Sequence, residues 1–196
     1  MKTSTLAKCV PVLAWVAMGA FSPPAARAAD LRGAFVAGYD TGGDKIVTVT
    51  FTNGETDSLR ANEGFYVGGG ISVLNDSKDI ELQGTLSIKY SNISANNGDV
   101  SFTRYPLDLL AFYRMQNFRV GGGLTYVISP KVSGSGVAGN INATFDNAAG
   151  VVVQGDYLLG RVAIGLRYTG LDYKVAGTTV KSNGVGVTFG FTFGGN

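Results

Sequence analysis

The chain has 196 residues, with 16 lysines and arginines, 14 aspartates and glutamates and no histidine, so its formal charge is +2. A balance this close to neutral gives no sign of the clustered basic footprint of a nucleic-acid-binding protein. The lack of histidine removes the commonest general base, and a single cysteine excludes an internal disulfide.

The first 28 residues have the three parts of a secretory signal peptide. Two lysines lie near the start, residues 9–21 are apolar, and Ala26-Arg27-Ala28 is a small-x-small cleavage pattern. An uncleaved anchor is the alternative, but the apolar run is shorter than the roughly 20 helical residues that cross a bilayer. We predict a signal peptide over residues 1–28, removed after Ala28.

The remaining residues, 29–196, are predicted to form one domain of 168 residues. Cleavage removes three basic residues and no acidic one, which leaves 13 basic against 14 acidic residues and a charge of −1. The single cysteine, Cys9, leaves with the signal peptide. Disulfides, zinc thiolate sites and a cysteine nucleophile are therefore excluded from the mature chain.

Eight segments of the mature chain alternate apolar residues with small or polar ones, the period of two that indicates β-strands. In chain order they lie at residues 31–40, 63–74, 80–90, 100–115, 118–129, 144–158, 162–169 and 184–194. The last is the clearest, because valine and phenylalanine fill the odd positions and glycine and threonine the even ones. In the fourth segment the alternation is disturbed near Pro106, which indicates a bulge or a strand end.

Short and long connections alternate strictly between these segments. Short links are expected near residues 75–78, 116–117 and 160, and long polar loops at 41–62, 91–99, 130–143 and 175–181. Within the first loop, residues 45–51 and 55–60 flank Thr52-Asn53-Gly54, and Asn-Gly is a strong hairpin signal. We expect a small hairpin there, either projecting from the barrel or folded over its mouth.

The composition of the two strand faces predicts which one points outward. A soluble barrel would turn its apolar face inward around a ligand, but glycine suits the crowded interior of a narrow barrel better than a water-facing surface. We therefore predict a closed, antiparallel, up-and-down transmembrane barrel of eight strands. Its lipid-facing residues would include Leu82, Leu86, Val120, Leu124, Ile164, Leu166, Val187, Phe189, Phe191 and Phe193.

By the same alternation, the side chains of eight charged residues are predicted to point into the lumen. They are Glu81, Lys89, Arg104, Asp108, Arg114, Arg119, Asp156 and Arg167. Since isolated buried charges are costly, residues of mixed sign are expected to pair as a structural polar network. An eight-stranded barrel has just enough interior for its own side chains, which favours a plug over a gated path for ions.

Three segments carry a resemblance to a known family. Phe102 to Tyr113, Phe118 to Tyr126 and Ser129-Pro130-Lys131, set in this architecture, resemble the small outer-membrane β-barrels of Gram-negative bacteria. These include the transmembrane domain of outer-membrane protein A and the outer-membrane protein X type, and the three segments resemble an uncharacterised subgroup of them. Such barrels usually end on an aromatic residue, whereas Gly194-Gly195-Asn196 follow Phe193 here.

We predict no enzyme activity, no metal site and no cofactor. The lipid A deacylase, lipid A palmitoyltransferase, phospholipase and omptin proteases share the architecture but rely on histidine, which this chain lacks. Gly134 to Gly139 matches the spacing of a dinucleotide fingerprint, but no helix pattern follows it. Asp40 and Asp44 offer too few oxygen ligands for calcium.

We expect this protein to reside in the outer membrane of a Gram-negative bacterium and to have a structural or surface-interaction role. Expected partners are outer-membrane lipids and lipopolysaccharide, the barrel-assembly machinery and periplasmic chaperones during biogenesis, and a host or envelope molecule at the extracellular loops, but no nucleic acid. Two alternatives stay open, namely a narrow channel or transporter for small or hydrophobic solutes, and a soluble periplasmic barrel that binds a lipid.

Overall fold

The computed structural model describes residues 29–50, 56–95, 98–136 and 142–195. Residues 1–28 lie outside this part, so the signal peptide stays a prediction. Within the described residues no helix is long and apolar enough to cross a membrane.

The described chain is almost entirely β-strand. The strands are β1 (Asp30–Gly42), β2 (Lys45–Thr50), β3 (Thr56–Arg60), β4 (Gly64–Leu74), β5 (Ile80–Ala95), β6 (Gly98–Arg114), β7 (Phe118–Gly134), β8 (Asn142–Thr144), β9 (Ala148–Leu159), β10 (Val162–Val175), β11 (Thr178–Lys181) and β12 (Gly184–Phe193). Eight of them, β1, β4, β5, β6, β7, β9, β10 and β12, pair in antiparallel sequence. The last, β12, pairs with β1 and completes the ring.

The ring is staggered as well as closed. Paired residues followed once around it lead from Ile80 in β5 back to β5 at Tyr90, ten residues farther along. The residues met on the way are Tyr113, Val120, Gly155, Leu166, Val187, Tyr39 and Phe65. Stagger of this kind accompanies strands tilted by roughly 35–45° to the barrel axis. The predicted fold of eight antiparallel strands is confirmed.

The two ends of the ring differ. One end carries the short connections after β4, β6 and β9, and we call it the turn end. The opposite end carries β2, β3, β8 and β11, and we call it the loop end. Both chain termini of the described barrel lie at the turn end, since Asp30 begins β1 and Phe193 ends β12.

Near the turn end and through the middle of the ring, large apolar side chains point outward. The ten residues predicted to face lipid are all exposed, between 38% for Phe191 and 69% for Leu166. Glutamate, glutamine, arginine, serine and threonine on the alternate positions are buried inside. The facing of β6 around Pro106 is regular, because Tyr105, Leu107 and Leu109 are exposed while Asp108 and Leu110 are buried.

A bulge interrupts the pairing of β6 with β7 close to the predicted position. Thr103 pairs with Lys131 but Tyr105 pairs with Ile128, so Arg104 faces two residues of β7. One of these, Ser129, has a φ of 47°, in the left-handed region that a bulged residue can occupy. The extra residue therefore lies in β7, opposite Arg104, rather than in β6.

The polarity of the strands reverses at the loop end. In β5 the outward residue after Tyr90 is Asn92 and the next inward apolar residue is the buried Ile93. In β6 the inward Val100 and Phe102 are buried, and in β10 the inward Leu171 and Tyr173. Beyond a row of outward tyrosines, the barrel thus has a soluble-protein arrangement, with an apolar core inside and polar residues outside.

This reversal corrects three predicted loops. Residues 91–95 and 98–99 belong to β5 and β6, residues 130–134 extend β7, and residues 178–181 form β11 paired with β10. In these residues apolar and polar side chains also alternate, but the apolar ones point inward and the polar ones outward, the reverse of the rest of the barrel. Their polar composition therefore resembled that of loops. In physical terms, these residues bury a core of their own.

The predicted hairpin in the first long connection is present as β2 paired with β3. Its turn, residues 51–55, lies outside the described part. Leu59 is buried and packs with Ile46 and Val47 in the apolar core of the loop end. Asp44 anchors the base of the hairpin, since its backbone N–H donates to the carbonyl of Lys181 at 2.7 Å. The hairpin is folded over the opening of the barrel.

Several inward glycines make room for a large inward residue on the neighbouring strand. Gly165 pairs with Asp156 and Gly186 with Asp40, and a Cβ at either glycine would collide with the carboxylate and with backbone. By contrast, Gly155 points outward and a Cβ there would meet no atom within 4 Å. Glycine therefore occupies these inward positions because a larger side chain would not fit.

Two matched substitutions test this role of glycine. Gly165→Ala is expected to lower the free energy of unfolding by about 1–3 kcal/mol, because the Cβ overpacks the Asp156 carboxylate. Gly155→Ala is expected to be neutral or to stabilise by up to about 1 kcal/mol. Guanidinium unfolding in detergent micelles measures both, and equal effects of the two substitutions would contradict this explanation.

Candidate functional site

Most of the fully buried charged side chains among the described residues lie inside the barrel, where they form two networks. The lower network lies near the turn end and centres on Arg119. Its Nε donates to Asp156 Oδ2 at 2.6 Å and its Nη1 to Glu81 Oε1 at 2.7 Å. Arg114 also donates to Glu81, and Ser72 donates to the same carboxylate at 2.7 Å. Two cations thus balance two carboxylates.

The upper network lies closer to the loop end. It joins residues from β1, β5, β6 and β10, Tyr66 of β4, and the segment before β4. Lys89 Nζ donates to Asp40 Oδ2 at 2.6 Å and to Asn62 Oδ1 at 3.0 Å. Arg167 Nη2 donates to Asp108 Oδ2 at 3.0 Å. Arg104 lies in the same layer, and its Nη2 donates to the backbone carbonyl of Glu63.

Apolar layers separate and cover the two networks. Leu110, Phe112 and Val152 form a small buried cluster between them, and the Arg119 guanidinium lies 4.2 Å from the centre of the Phe112 ring. Above the upper network, Phe102, Phe145 and Tyr173 form an aromatic triangle with ring centres 5.6–5.9 Å apart. We call this triangle, with the apolar core around it, the aromatic cap.

The spaces left among these side chains are small. A cavity of about 20 Å³ lies between the upper network and the aromatic cap, and one of about 10 Å³ lies beside Arg114 and Arg119. A single water-sized particle needs roughly 10–15 Å³. The interior is therefore filled by side chains, with room for isolated small particles.

The structure places all eight charged residues predicted for the lumen on the inner face. It divides them between the networks: Glu81, Arg114, Arg119 and Asp156 below, and Lys89, Arg104, Asp108 and Arg167 above. Arg114 is the least buried, with 18% of its side chain exposed. Whether the networks serve only to hold the barrel shut stays a prediction.

Sequence analysis missed three members of the upper network, Asp40, Asn62 and Tyr66. From the sequence alone, Asp40 and Asp44 are weighed only as calcium ligands, but Asp40 is buried against Lys89 while Asp44 lies at the hairpin base. The even positions of β1, including Ala34, Val36 and Asp40, all face inward. Counting parity from Phe35 and Tyr39 would have placed Asp40 in the lumen.

The outer face has its own concavity. A shallow apolar groove of about 600 Å³ runs past Tyr39, Val120, Leu166 and Val187, where Gly155 contributes no side chain. These residues lie on the outward apolar face of the barrel, which we call the apolar belt. The groove is a depression in that belt.

The acidic residues of the inner site are dispersed among ion pairs rather than gathered at one point. In the part of the chain that the structure describes, no group of three histidine, cysteine, aspartate or glutamate residues converges on one point. Its carboxylates instead each form an ion pair with arginine or lysine. The arrangement suits ion pairing within a packed interior.

Comparisons with known proteins bear on the fold. The sequence matches no protein-family model and no curated protein. By structure it is similar to Ail, the attachment invasion locus protein of Yersinia pestis, solved with the heparin analogue sucrose octasulfate. The alignment covers 84% of this chain and 99% of Ail, at a TM-score of 0.53 and 11% identity.

Neisserial surface protein A aligns over 83% of this chain and 97% of its own length, at a TM-score of 0.47 and 14% identity. The likeness to Ail shows that the chain has the fold of the small eight-stranded outer-membrane barrels of Gram-negative bacteria. At this identity it speaks for the fold alone.

Removing the centre of the lower network tests its contribution to stability. Arg119→Met is expected to lower the free energy of unfolding by about 3–5 kcal/mol, because Asp156 loses its buried cation and Glu81 keeps only Arg114. Arg161→Met is the matched control, since Arg161 is exposed at the turn end, and its effect should stay within about 0.5 kcal/mol. Denaturant unfolding in micelles gives both values; similar small effects would show that the network adds nothing.

Proposed function

We propose that this chain is an integral outer-membrane β-barrel that is closed to solutes, catalyses no reaction, and displays a rigid surface outside the cell. The reversal of side-chain polarity along single strands carries the proposal. A strand that is apolar outside over one stretch and polar outside over the next passes from lipid into water.

The length of the apolar stretch fits a membrane. In β5 the outward apolar face runs from Ile80 to Tyr90, eleven residues, and a transmembrane β-strand needs about 9–11. Tyr90, Tyr105, Tyr126 and Tyr168 stand outward where this face ends, each a little over 40% exposed. Aromatic rows at that position are typical of membrane interfaces.

The same observation argues against a soluble periplasmic barrel around a lipid. Such a barrel would bury its phenylalanines and valines, whereas Phe189, Phe191 and Phe193 are between 38% and 50% exposed. Soluble monomers rarely expose apolar patches larger than a few hundred Å². The polar networks also fill the interior that a lipid would need.

A closed lumen is favoured over a channel or transporter by what fills it. An ion or solute would have to pass the aromatic cap, the upper network, the cluster around Phe112 and the lower network in turn. The charged residues of both networks are held by hydrogen bonds to other strands, most of them across the interior of the barrel. Opening a path would break several buried ion pairs at once, which is costly.

The loop end is then the extracellular surface, and its construction suits recognition. It has its own apolar core, which holds the β2–β3 hairpin and β11 in place. Its outward residues are polar and of mixed charge, among them Asp99, Lys131, Asp172 and Lys174. We propose lipopolysaccharide and a host or envelope molecule as partners of this surface, and the barrel-assembly machinery and periplasmic chaperones as partners during biogenesis.

Three simple measurements test the location and the closed state. The protein should fractionate with outer membranes rather than osmotic-shock fluid, and unboiled protein should migrate differently from boiled protein in electrophoresis. In planar bilayers it should show no steady single-channel openings. Sustained conductance would replace this proposal with the channel, and recovery in the shock fluid would replace it with the soluble barrel.

A pair of leucine and isoleucine substitutions tests the membrane directly. Leu124→Arg, near the middle of the apolar belt and 64% exposed, should destabilise the protein in lipid vesicles by about 2–4 kcal/mol, because the charge enters hydrocarbon. Ile80→Arg, on the same face at the turn end, should cost only about 0–1 kcal/mol. Denaturant unfolding in vesicles measures the difference; equal costs would mean that no depth-dependent lipid surrounds the belt.

A further inference from the structure

The cavity below the aromatic cap has an unusual lining. It measures about 20 Å³ and is bordered by the charged members of the upper network together with Asn62, Tyr66 and Thr169. That volume exceeds the roughly 10–15 Å³ that one water-sized particle requires. Polar lining and sufficient room are the two conditions for a bound particle inside a protein.

The charges around this cavity do not balance. Three cations, Lys89, Arg104 and Arg167, share it with two carboxylates, Asp40 and Asp108. Lys89 pairs with Asp40 and Arg167 with Asp108. That leaves Arg104, which is only 1% exposed and, among the described residues, has no carboxylate at salt-bridge distance. Its neighbours are a backbone carbonyl and the Phe102 ring, 4.2 Å from its Cζ.

Glu63 offsets the positive charge of Arg104 only in part. Its Oε1 accepts a hydrogen bond from Tyr39 OH at 3.1 Å. The Tyr39 ring packs on Phe65, which is 71% exposed on the outer face. The Glu63 carboxylate therefore belongs to the outer rim, where surrounding solvent weakens its interaction with a buried cation.

Several hydrogen-bond donors around the cavity also lack an acceptor. Arg104 Nη1, Arg167 Nε and Asn62 Nδ2 are buried and have no partner among the described residues, and the same holds for the hydroxyls of Tyr66 and Thr169. The unpaired acceptors are Asp40 Oδ1 and Asp108 Oδ1. Each unpaired buried donor is unfavourable. Water can pair with the donors and the acceptors alike, whereas an anion pairs with the donors alone but also offsets the excess positive charge.

We propose that this cavity is a binding site for a small monovalent anion of the halide type, held by Arg104 Nη1 and the neighbouring donors. The aromatic cap covers the site on one side and the cluster of Leu110, Phe112 and Val152 lies on the other. The anion is therefore acquired as the barrel folds, and it exchanges slowly afterwards. The site depends on the upper network alone and not on where the barrel resides.

The test compares refolding in chloride, bromide and gluconate at equal ionic strength. The protein refolded into detergent with chloride or bromide should melt about 2–4 °C or more above the protein refolded with gluconate, which is too large for the cavity. In crystals grown with bromide, an anomalous peak should lie beside Arg104. Arg104→Met should abolish the halide dependence, whereas Arg161→Met, at the turn end, should retain it in full.

Tyr66→Phe provides a second variant should Arg104→Met fail to refold. It keeps the ring and removes one donor, so the halide-dependent rise in melting temperature should shrink. Equal melting temperatures in all three salts, or no bromide peak in the cavity, would overturn the proposal in favour of bound water. A halide effect that persists unchanged in Arg104→Met or in Tyr66→Phe would overturn it too, because the ion would then act elsewhere.

Discussion

The pairing of β12 with β1 is the constraint on which the rest of this structure depends. Once the ring of eight strands closes with a stagger of ten residues, its cross-section is fixed, and so is the space available to inward side chains. Every large inward residue must then be offset by a small one nearby. This explains why Gly165 faces Asp156, Gly186 faces Asp40 and Gly38 faces Tyr66 across neighbouring strands.

A closed ring also leaves the strands free to differ in polarity along their length. Because all ladder hydrogen bonds are made within the ring, only the side chains determine whether a stretch suits lipid or water. The barrel uses this freedom in two tiers. The longer tier is apolar outside and ionic inside, and the shorter tier at the loop end is polar outside and closed by the aromatic cap. The second tier turns the mouth of a narrow barrel into a supported surface.

Much of this architecture could be predicted from the sequence because the period of two is local. The alternation around Val187 and Phe189 gave the strand and the outward face, and Asn53-Gly54 gave the hairpin. The loop-end tier was not predicted, because Ile93 and Val132 alternate with polar residues in the opposite sense and so looked like loop sequence. The composition of the upper network also escaped, since Asp40, Asn62 and Lys89 meet only when strands distant in sequence are registered against one another.

The central claim is that apolar side chains face lipid while small and charged ones fill the interior. The most direct measurement is a nitroxide scan along β12 in lipid vesicles, with one spin label at each position from 184 to 193 and the accessibility of each label to oxygen and to a water-soluble nickel chelate recorded. The account predicts high oxygen accessibility at the odd positions, Val185 to Phe193, and low accessibility to both reagents at the even ones. Odd positions shielded from oxygen, or open to the nickel chelate through the middle of the strand, would contradict it.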